Sequence, residues 1–242
     1  MKLEIFEAPQ QAAAAAAERI AACVRAKPAA VLGLATGATM EEVYRSLVAR
    51  LEAERLSLGQ VTTFNLDEYL GLAAEDPASY RATMRRLLFG LSDLDPARTH
   101  LPRGEAADPQ AEASRYEAAI AAAGGLDLQL LGLGRNGHVG FNEPGSPADS
   151  RTRVVRLSAT TRKANRRHFP PGRAVPERAI TLGIATILEA RSLLLVVTGA
   201  AKRAPLRRVL QGPPGADCPA SLLLGHHDLT VLADRAAAGE AA

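Results

Sequence analysis

A chain of 242 residues, 47% of them hydrophobic and 23% charged, has the size and composition of one large soluble α/β domain. Its formal net charge is only +3, aromatic residues make up 4% of it, and no basic run is flanked by aromatics, so we expect no nucleic-acid partner. Two widely separated cysteines and the lack of any long uncharged apolar stretch predict free thiols, a cytoplasmic location, and neither export nor a membrane span.

Short β-type runs alternate with amphipathic helical stretches from one end of the chain to the other. The predicted strands are Lys2–Phe6, Ala30–Ala35, Val61–Asn65, Leu126–Leu133, Ser192–Thr198 and Leu229–Ala233. The predicted helices are Gln10–Arg25, Glu41–Arg55, Ser79–Leu88, Asp108–Ala123, Thr160–His168 and Ala200–Leu210. This alternation predicts an α/β fold over residues 1–242: a single doubly wound, mostly parallel, Rossmann-like sheet with helices on both faces. Residues 236–242 are expected to form a frayed helical tail.

A glycine-rich turn, GLATGAT, follows the second predicted strand at Gly33–Thr39. Glycines let the backbone approach a ligand closely, and the start of the next helix offers unpaired N–H groups to an anion. Thr36 and Thr39 add hydroxyl donors, although the motif matches neither a P-loop nor GxGxxG. Two interpretations stay open from these residues: a phosphate-binding turn, or an ordinary strand–turn–helix that a threonine caps.

Two adjacent acids, Asp67 and Glu68, follow the third predicted strand within TTFNLDEYLGL, Thr62–Leu72. Neighbouring carboxylates repel each other, so burial of one separates their pKa values and suits it for proton abstraction. The structural alternative is that Asp67 caps the next helix while Glu68 is solvated. Without further context, the pattern favours this second interpretation.

The densest group of polar residues, LGLGRNGHVGFNEPG at 131–145, comes directly after the fourth predicted strand. In open α/β sheets, ligands bind beyond the carboxyl ends of such strands. Histidine can shuttle protons near neutral pH, so His138 is a candidate acid–base group, and Glu143 can orient it or stabilise its charge. A turn histidine whose neighbours satisfy the loop backbone is the alternative. The concentration of glycine and polar residues favours the functional interpretation.

Basic residues later in the chain complete the candidate set. SLLLVVTGAAK, Ser192–Lys202, predicts a buried strand, a Thr-Gly turn and a helix whose first turn carries Lys202. A lysine there opposes the helix dipole unless an anion lies beside it, so a phosphate ligand and a solvated lysine both stay open. In ANRRHF, Arg167 is another candidate phosphate ligand, and Arg166 would serve equally. No histidine or cysteine pattern has metal-ligand spacing, so we expect no metal.

Five motifs, taken in order, resemble those of the glucosamine-6-phosphate deaminase family: GLATGAT, FNLDEY, GLGRNGHVGFNEPGS, ANRRHF and VTGAAK. The likeness extends from about Val31 to Asp234, and FNLDEY together with GHVGFNEPG is specific to this branch. The resemblance implies conversion of glucosamine 6-phosphate and water to fructose 6-phosphate and ammonia without a cofactor. The implied partner is therefore a small amino-sugar phosphate.

The resemblance also implies roles for individual residues of this chain. Asp67 would move a proton between C2 and C1, and His138 would open the pyranose ring with help from Glu143. Some relatives have aspartate where this chain has Asn136, which can hydrogen-bond the histidine or the loop but supplies no charge. The implied phosphate ligands are Thr36, Gly37, Ala38, Thr39, Arg167 and Lys202. The implied sugar contacts are Tyr80 and Gly137.

Two expectations concern the shape and assembly of the protein. The breaker-rich region at 157–176 is expected to form a lid that excludes water from the site. Allosteric, hexameric relatives carry a longer C-terminal extension, whereas this chain ends soon after Asp234, which favours a monomer or a small homo-oligomer.

Two other functions compete with the deaminase interpretation. The family of 6-phosphogluconolactonase resembles this fold and its GxGxxGH turn, but typically has DER as its acidic motif and a threonine-rich sequence after GH. Here the corresponding sequences are DEY and VGFNEPG, which favour the deaminase. A non-catalytic sugar-phosphate-binding regulator is disfavoured because both Asp67 and His138 are present.

Overall fold

The computed structural model describes residues 1–239 and places seven strands in one central sheet. The strands are β1 Lys2–Phe6, β2 Val31–Leu34, β3 Thr62–Asn65, β4 Asp67–Tyr69, β5 Thr99–His100, β6 Leu128–Gly132, β7 Arg153–Arg156, β8 Arg178–Thr181, β9 Leu193–Val197 and β10 Leu229–Asp234. The helices are α1 Pro9–Ala26, α2 Ala38–Glu54, α3 Tyr80–Leu87, α4 Pro109–Ala122, α5 Ala159–Asn165, α6 Ile184–Leu188, α7 Arg203–Gln211 and α8 Arg235–Ala238. Residues 240–242, the end of the predicted domain and tail, lie outside the described residues.

The central sheet has the strand order β1-β10-β9-β6-β2-β3-β5, and all neighbouring strands in it are parallel. The predicted doubly wound, mainly parallel α/β fold is therefore confirmed. The interior strand β9, LLLVV, is buried along its whole length, as expected of a parallel strand covered on both faces. Among residues 1–239, no helix combines the length and the apolar character needed to cross a membrane.

The strand order creates a switch point between β2 and β6. These strands are neighbours, but the chain continues from β2 to β3 on one side and from β6 to β9 on the other. Their carboxyl ends therefore border the crevice in which open α/β sheets bind ligands. The Thr36–Thr39 turn follows β2 and the His138 loop follows β6, so the topology brings the two motifs to the same edge.

A second sheet, which the sequence does not predict, has the antiparallel order β4-β8-β7. One residue after β3 ends, the chain enters β4, where Asp67 pairs with Thr181 and Glu68 pairs with Ile180. The expectation that Asp67 caps a helix is wrong, because the residue lies within a strand. A strand of three residues whose partner lies far along the chain leaves no periodic signal in the local sequence.

Two predicted helices are each divided into a 3-10 turn and an α-helix. The stretch expected as Thr160–His168 is α5 followed by a 3-10 turn at Arg166–His168. The stretch expected as Ala200–Leu210 begins with a 3-10 turn at Ala200–Lys202, and α7 follows. Both turns place basic side chains near the carboxyl ends of the central strands.

Candidate active site

The turn after β2 leaves the start of a helix without a side-chain cap. Gly37 is the N-cap residue of α2, with φ 124°, a conformation that glycine adopts without strain. The expectation that a threonine caps this helix is wrong, since the Thr39 hydroxyl lies 3.4 Å from that of Thr198 instead. Gly37 and Ala38 are exposed. The helix start is therefore open to an anion, as the phosphate-binding interpretation requires.

Three basic side chains, Lys202, Arg135 and Arg167, lie near one another at the carboxyl end of β6. Lys202 is half-buried, and its Nζ donates a 2.6 Å hydrogen bond to the carbonyl oxygen of Leu133 at the end of β6. Burial lowers the pKa of Lys202, and the nearby charges of Arg135 and Arg167 lower it further. Cations held this close together favour an anionic ligand between them.

The structure distinguishes Arg166 from Arg167, which the sequence does not. The Arg166 guanidinium donates to the carbonyl oxygens of Phe169 and Pro170, at 3.0 and 2.9 Å, so it fixes the turn of its own segment. Arg167 is exposed, and its only hydrogen bond among the described residues is to the ring of His168. Arg135, which also lies near Lys202, is not among the cations predicted from the sequence. Its position directly before the Asn-Gly-His turn is the sequence feature that could have identified it.

Asp67 is buried at the start of β4, next to the loop that carries His138. Burial raises the pKa of Asp67 well above its usual range, and the charge of Glu68 raises it further. Gly140, with φ 55°, is what lets this loop come close: a Cβ there would lie 3.4 Å from Asp67 Oδ2 and 3.0 Å from Thr181 Oγ1. The carboxylate of Asp67, whose pKa burial raises, therefore lies against the loop that carries His138.

Glu68 is 3% exposed, so the expectation that it is solvated is wrong. Its carboxylate accepts hydrogen bonds from the backbone N–H groups of Tyr69, Tyr80 and Arg81, at 2.9, 3.0 and 2.9 Å. Two of these groups belong to the first turn of α3, so Glu68 holds that helix from the neighbouring strand. Burial raises the pKa of Glu68 to about 7, although the three N–H donors act in the opposite direction.

His138, Asn136 and Glu143 form a chain of hydrogen bonds. The His138 Nδ1 lies 2.6 Å from Asn136 Oδ1, and the Asn136 Nδ2 donates to Glu143 Oε2 at 2.6 Å. Because the amide nitrogen of Asn136 faces a carboxylate, its oxygen faces the imidazole, and Nδ1 carries the ring proton. The other ring nitrogen, Nε2, is thereby left with a lone pair that can accept a proton.

Glu143 is the charged end of this chain. Burial raises its pKa, but the nearby His138 ring and the hydrogen bonds from Thr161 and Asn136 together outweigh burial and bring the pKa down to about 2. Its Oε2 lies 3.7 Å from His138 Nδ1, which is too far for a hydrogen bond. The hydrogen-bonded connection between the two side chains runs through Asn136. An asparagine at this position therefore connects the histidine to the carboxylate.

Tyr80 and Gly137, the candidate sugar contacts, lie in different surroundings. The Tyr80 hydroxyl donates to that of Tyr69 at 3.2 Å, and burial raises the pKa of Tyr80 well above its ordinary value. Gly137 has φ 89° and is buried, and a Cβ there would lie 2.6 Å from Cys218 Sγ. Packing is thus a sufficient reason for glycine at 137, and a sugar contact there stays a prediction.

The 157–176 segment contacts Tyr69, which follows Asp67 in β4, and Glu143 of the His138 loop. Asn165 Nδ2 donates to the Tyr69 hydroxyl at 2.9 Å, and the Phe169 ring meets the Tyr69 ring edge-on at 5.4 Å. An ion pair between Arg173 and Asp76 fastens the far end of the segment. Within residues 1–239, no cluster of three or more His, Cys, Asp or Glu side chains is arranged to hold a metal ion.

A basic carboxylate, a histidine relay and a group of cations at the strand ends of a parallel sheet define an acid–base enzyme of the α/β class. The chain belongs to the family described as glucosamine-6-phosphate isomerases/6-phosphogluconolactonase, whose model matches residues 6–232. It is 52% identical over 238 residues to the glucosamine-6-phosphate deaminase of Rhodopirellula baltica, covering 98% of this chain and 95% of that protein.

Two solved structures resemble this chain to different degrees. A monomeric glucosamine-6-phosphate deaminase superimposes with a TM-score of 0.96 at 46% identity, covering 98% of this chain and 99% of that one. The 6-phosphogluconolactonase of Leishmania guyanensis has a TM-score of 0.80 at 23% identity, covering 100% of this chain and 98% of that one. The second likeness shows the shared fold alone.

Proposed function

We propose that this chain is a glucosamine-6-phosphate deaminase, which converts glucosamine 6-phosphate and water to fructose 6-phosphate and ammonia. The observation that carries the proposal is that buried Asp67 lies against the loop in which His138, Asn136 and Glu143 form a chain of hydrogen bonds. The family membership and the 52% identity to a named deaminase support the same reaction.

The phosphate is proposed to bind between the first turn of α2 and the nearby cations. The uncapped turn at Thr36–Thr39 supplies N–H groups and the positive end of the helix dipole. Lys202, Arg167 and Arg135 supply positive charge. Binding energy from the phosphate then holds the reacting end of the sugar in place.

Ring opening is proposed to use His138. Its Nε2 takes the proton from the anomeric O1 and returns it to O5 as the C1–O5 bond breaks, which leaves an open-chain aldehyde. Imidazolium is formed transiently in this step. Asn136 and Glu143 hold the ring in one orientation and stabilise its positive charge.

Deamination is proposed to follow through Asp67. The carboxylate removes the proton from C2 and returns it to C1, while one proton of the substrate ammonium group moves to O1, so the amino-aldose becomes the ketose iminium at C2. Water adds to that carbon and ammonia leaves, which gives fructose 6-phosphate. A carboxylate whose pKa is raised by burial is a stronger base than an exposed one, as this step requires.

Several properties are proposed together with the activity. The chain forms a single domain, with the 157–176 segment as a lid that excludes water. It is a cytoplasmic monomer, in agreement with the description of the structural relative as monomeric. Sedimentation of a particle twice the chain mass would contradict the monomer.

Ammonia release from glucosamine 6-phosphate, measured with a coupled enzyme, tests the proposal. We expect turnover by the unmodified chain and none above background by the Asp67→Asn variant. Hydrolysis of 6-phosphogluconolactone without ammonia release would replace the deaminase with the lactonase. Binding of the sugar phosphate without turnover would replace it with the non-catalytic regulator.

A further inference from the structure

The two oxygens of the Glu143 carboxylate are held by two different parts of the molecule. Oε2 accepts from Asn136 in the same loop, at 2.6 Å. Oε1 accepts from Ser158 Oγ at 3.0 Å and from Thr161 Oγ1, both in the 157–176 segment. The relay carboxylate is therefore oriented partly from outside its own loop.

The directions of these hydrogen bonds follow from the local geometry. Ser158 is the N-cap of α5, and its hydroxyl oxygen accepts from the backbone N–H of Thr161 at 3.1 Å. Its own proton is then available for Glu143. Thr161 is 4% exposed, and its hydroxyl reaches the same carboxylate oxygen. Because both donors act on Oε1, the remaining oxygen stays directed at Asn136.

The same short segment carries Arg167, the exposed arginine beside Lys202. A 3-10 turn that holds Arg167 follows α5 directly, and Asn165, at the end of α5, donates to the Tyr69 hydroxyl. A displacement of α5 would therefore move the proposed phosphate ligand and the donors to Glu143 at the same time.

We infer that Thr161, with Ser158, is a positioning residue for the ring-opening relay, and that it couples the seating of the 157–176 segment to the orientation of Glu143. This inference rests on the proposed deaminase function. When the segment is in place, both hydroxyls fix Oε1, and Oε2 holds Asn136 and through it His138. Without them, the carboxylate turns away from the relay, and the imidazole loses its fixed orientation.

The first test is the Thr161→Val variant, which removes the hydroxyl and keeps the shape. We expect kcat to fall about tenfold and KM to change less than about twofold, because Lys202 and the first turn of α2 hold the phosphate from outside the segment. Thr160→Val is the matched control, since Thr160 is the exposed neighbour on the same helix, and we expect it to behave as wild type. Thr161→Ser, which retains the hydroxyl, is expected to restore kcat to within about twofold.

The second test separates positioning from a general structural role. If Thr161 acts through Glu143, then Thr161→Val lowers kcat about tenfold in the wild type and less than about twofold in the Glu143→Ala background. Equal losses in both backgrounds would overturn the inference, as would a Thr161→Val variant with wild-type kcat. Ammonia release by the wild type supports the proposed function whichever result the Thr161→Val variants give.

Hydrogen exchange of the backbone amides at 159–168 tests the coupling to the segment. We expect faster exchange in Thr161→Val than in Thr160→Val, because the bond that ties α5 to Glu143 is missing. Identical exchange in the two variants would overturn the coupling, even if the kinetic cycle is non-additive. Circular dichroism and thermal unfolding identify any variant that fails to fold, and in that case Ser158→Ala takes its place in the two kinetic measurements.

Discussion

Asn136 donates its amide N–H to Glu143 at 2.6 Å while the oxygen of the same amide meets the His138 ring. A neutral side chain thus connects an acid–base group to a carboxylate, and it fixes which ring nitrogen carries the proton. Leucine has nearly the same shape but can make neither bond. We expect Asn136→Leu to lower kcat about 100-fold, since general acid–base catalysis depends on that orientation.

Asn136→Asp is the informative partner of this variant. It replaces an N–H donor with a second carboxylate oxygen next to Glu143. The new carboxyl group at position 136 and that of Glu143 must then share a proton, so the pKa of one of them rises above the low value that Glu143 has in the wild type. We expect activity to fall on the alkaline side, where that proton is lost. A pH–rate profile for kcat that matches wild type in both variants would contradict the relay.

Asp67→Asn is expected to slow turnover severely without weakening the fold. Loss of the base should lower kcat about 1,000-fold. Burial raises the folded-state pKa of Asp67, so its ionised form at pH 8 costs stability that is recovered as the pH falls. The amide carries no charge, and the melting temperature of the variant at pH 8 should equal or exceed that of wild type. A lower melting temperature would mean that the carboxylate holds the structure together.

Glu68→Gln is expected to move the acidic limb of the kcat profile to lower pH. The Glu68 charge is the second cause, after burial, of the raised pKa of Asp67, so its removal lets Asp67 ionise at lower pH.

Glu68 itself has a raised pKa of about 7, against 4.5 for the ordinary side chain. Stability of the wild type should therefore decline, by about 3 kcal/mol at most, as the pH rises from 4.5 to 7. Denaturant titrations should show a smaller decline in the variant.

Lys202→Met, Arg167→Met and Arg135→Met are each expected to raise KM for glucosamine 6-phosphate more than they lower kcat. A hydrogen bond to a charged group contributes about 1.5–3 kcal/mol, which corresponds to a factor of about 10 to 100 in affinity. Arg207→Met is the control, because Arg207 is an exposed arginine of the neighbouring helix α7. Unchanged KM in all three variants would exclude this cluster as the phosphate site.

The sequence predicts the parts of the site that lie on glycine-rich turns after buried strands. Thr36–Thr39 and His138 are in that class, and a parallel sheet brings such turns to one edge whatever lies between them. It does not predict Asp67 as a strand residue, because β4 pairs with β8 far along the chain. Nor does it show Ser158 and Thr161 as partners of Glu143. Such contacts depend on tertiary placement, which local patterns do not encode.

The register of β4 against β8 decides which of two adjacent acids has which role. Side chains of a strand alternate between its faces, so Asp67 turns toward the histidine loop and Glu68 toward the start of α3. A slip of one residue would exchange them: the anchor of α3 would be lost and the wrong carboxyl would enter the crevice. The identity of the base is thus a matter of strand alignment as much as of side-chain chemistry.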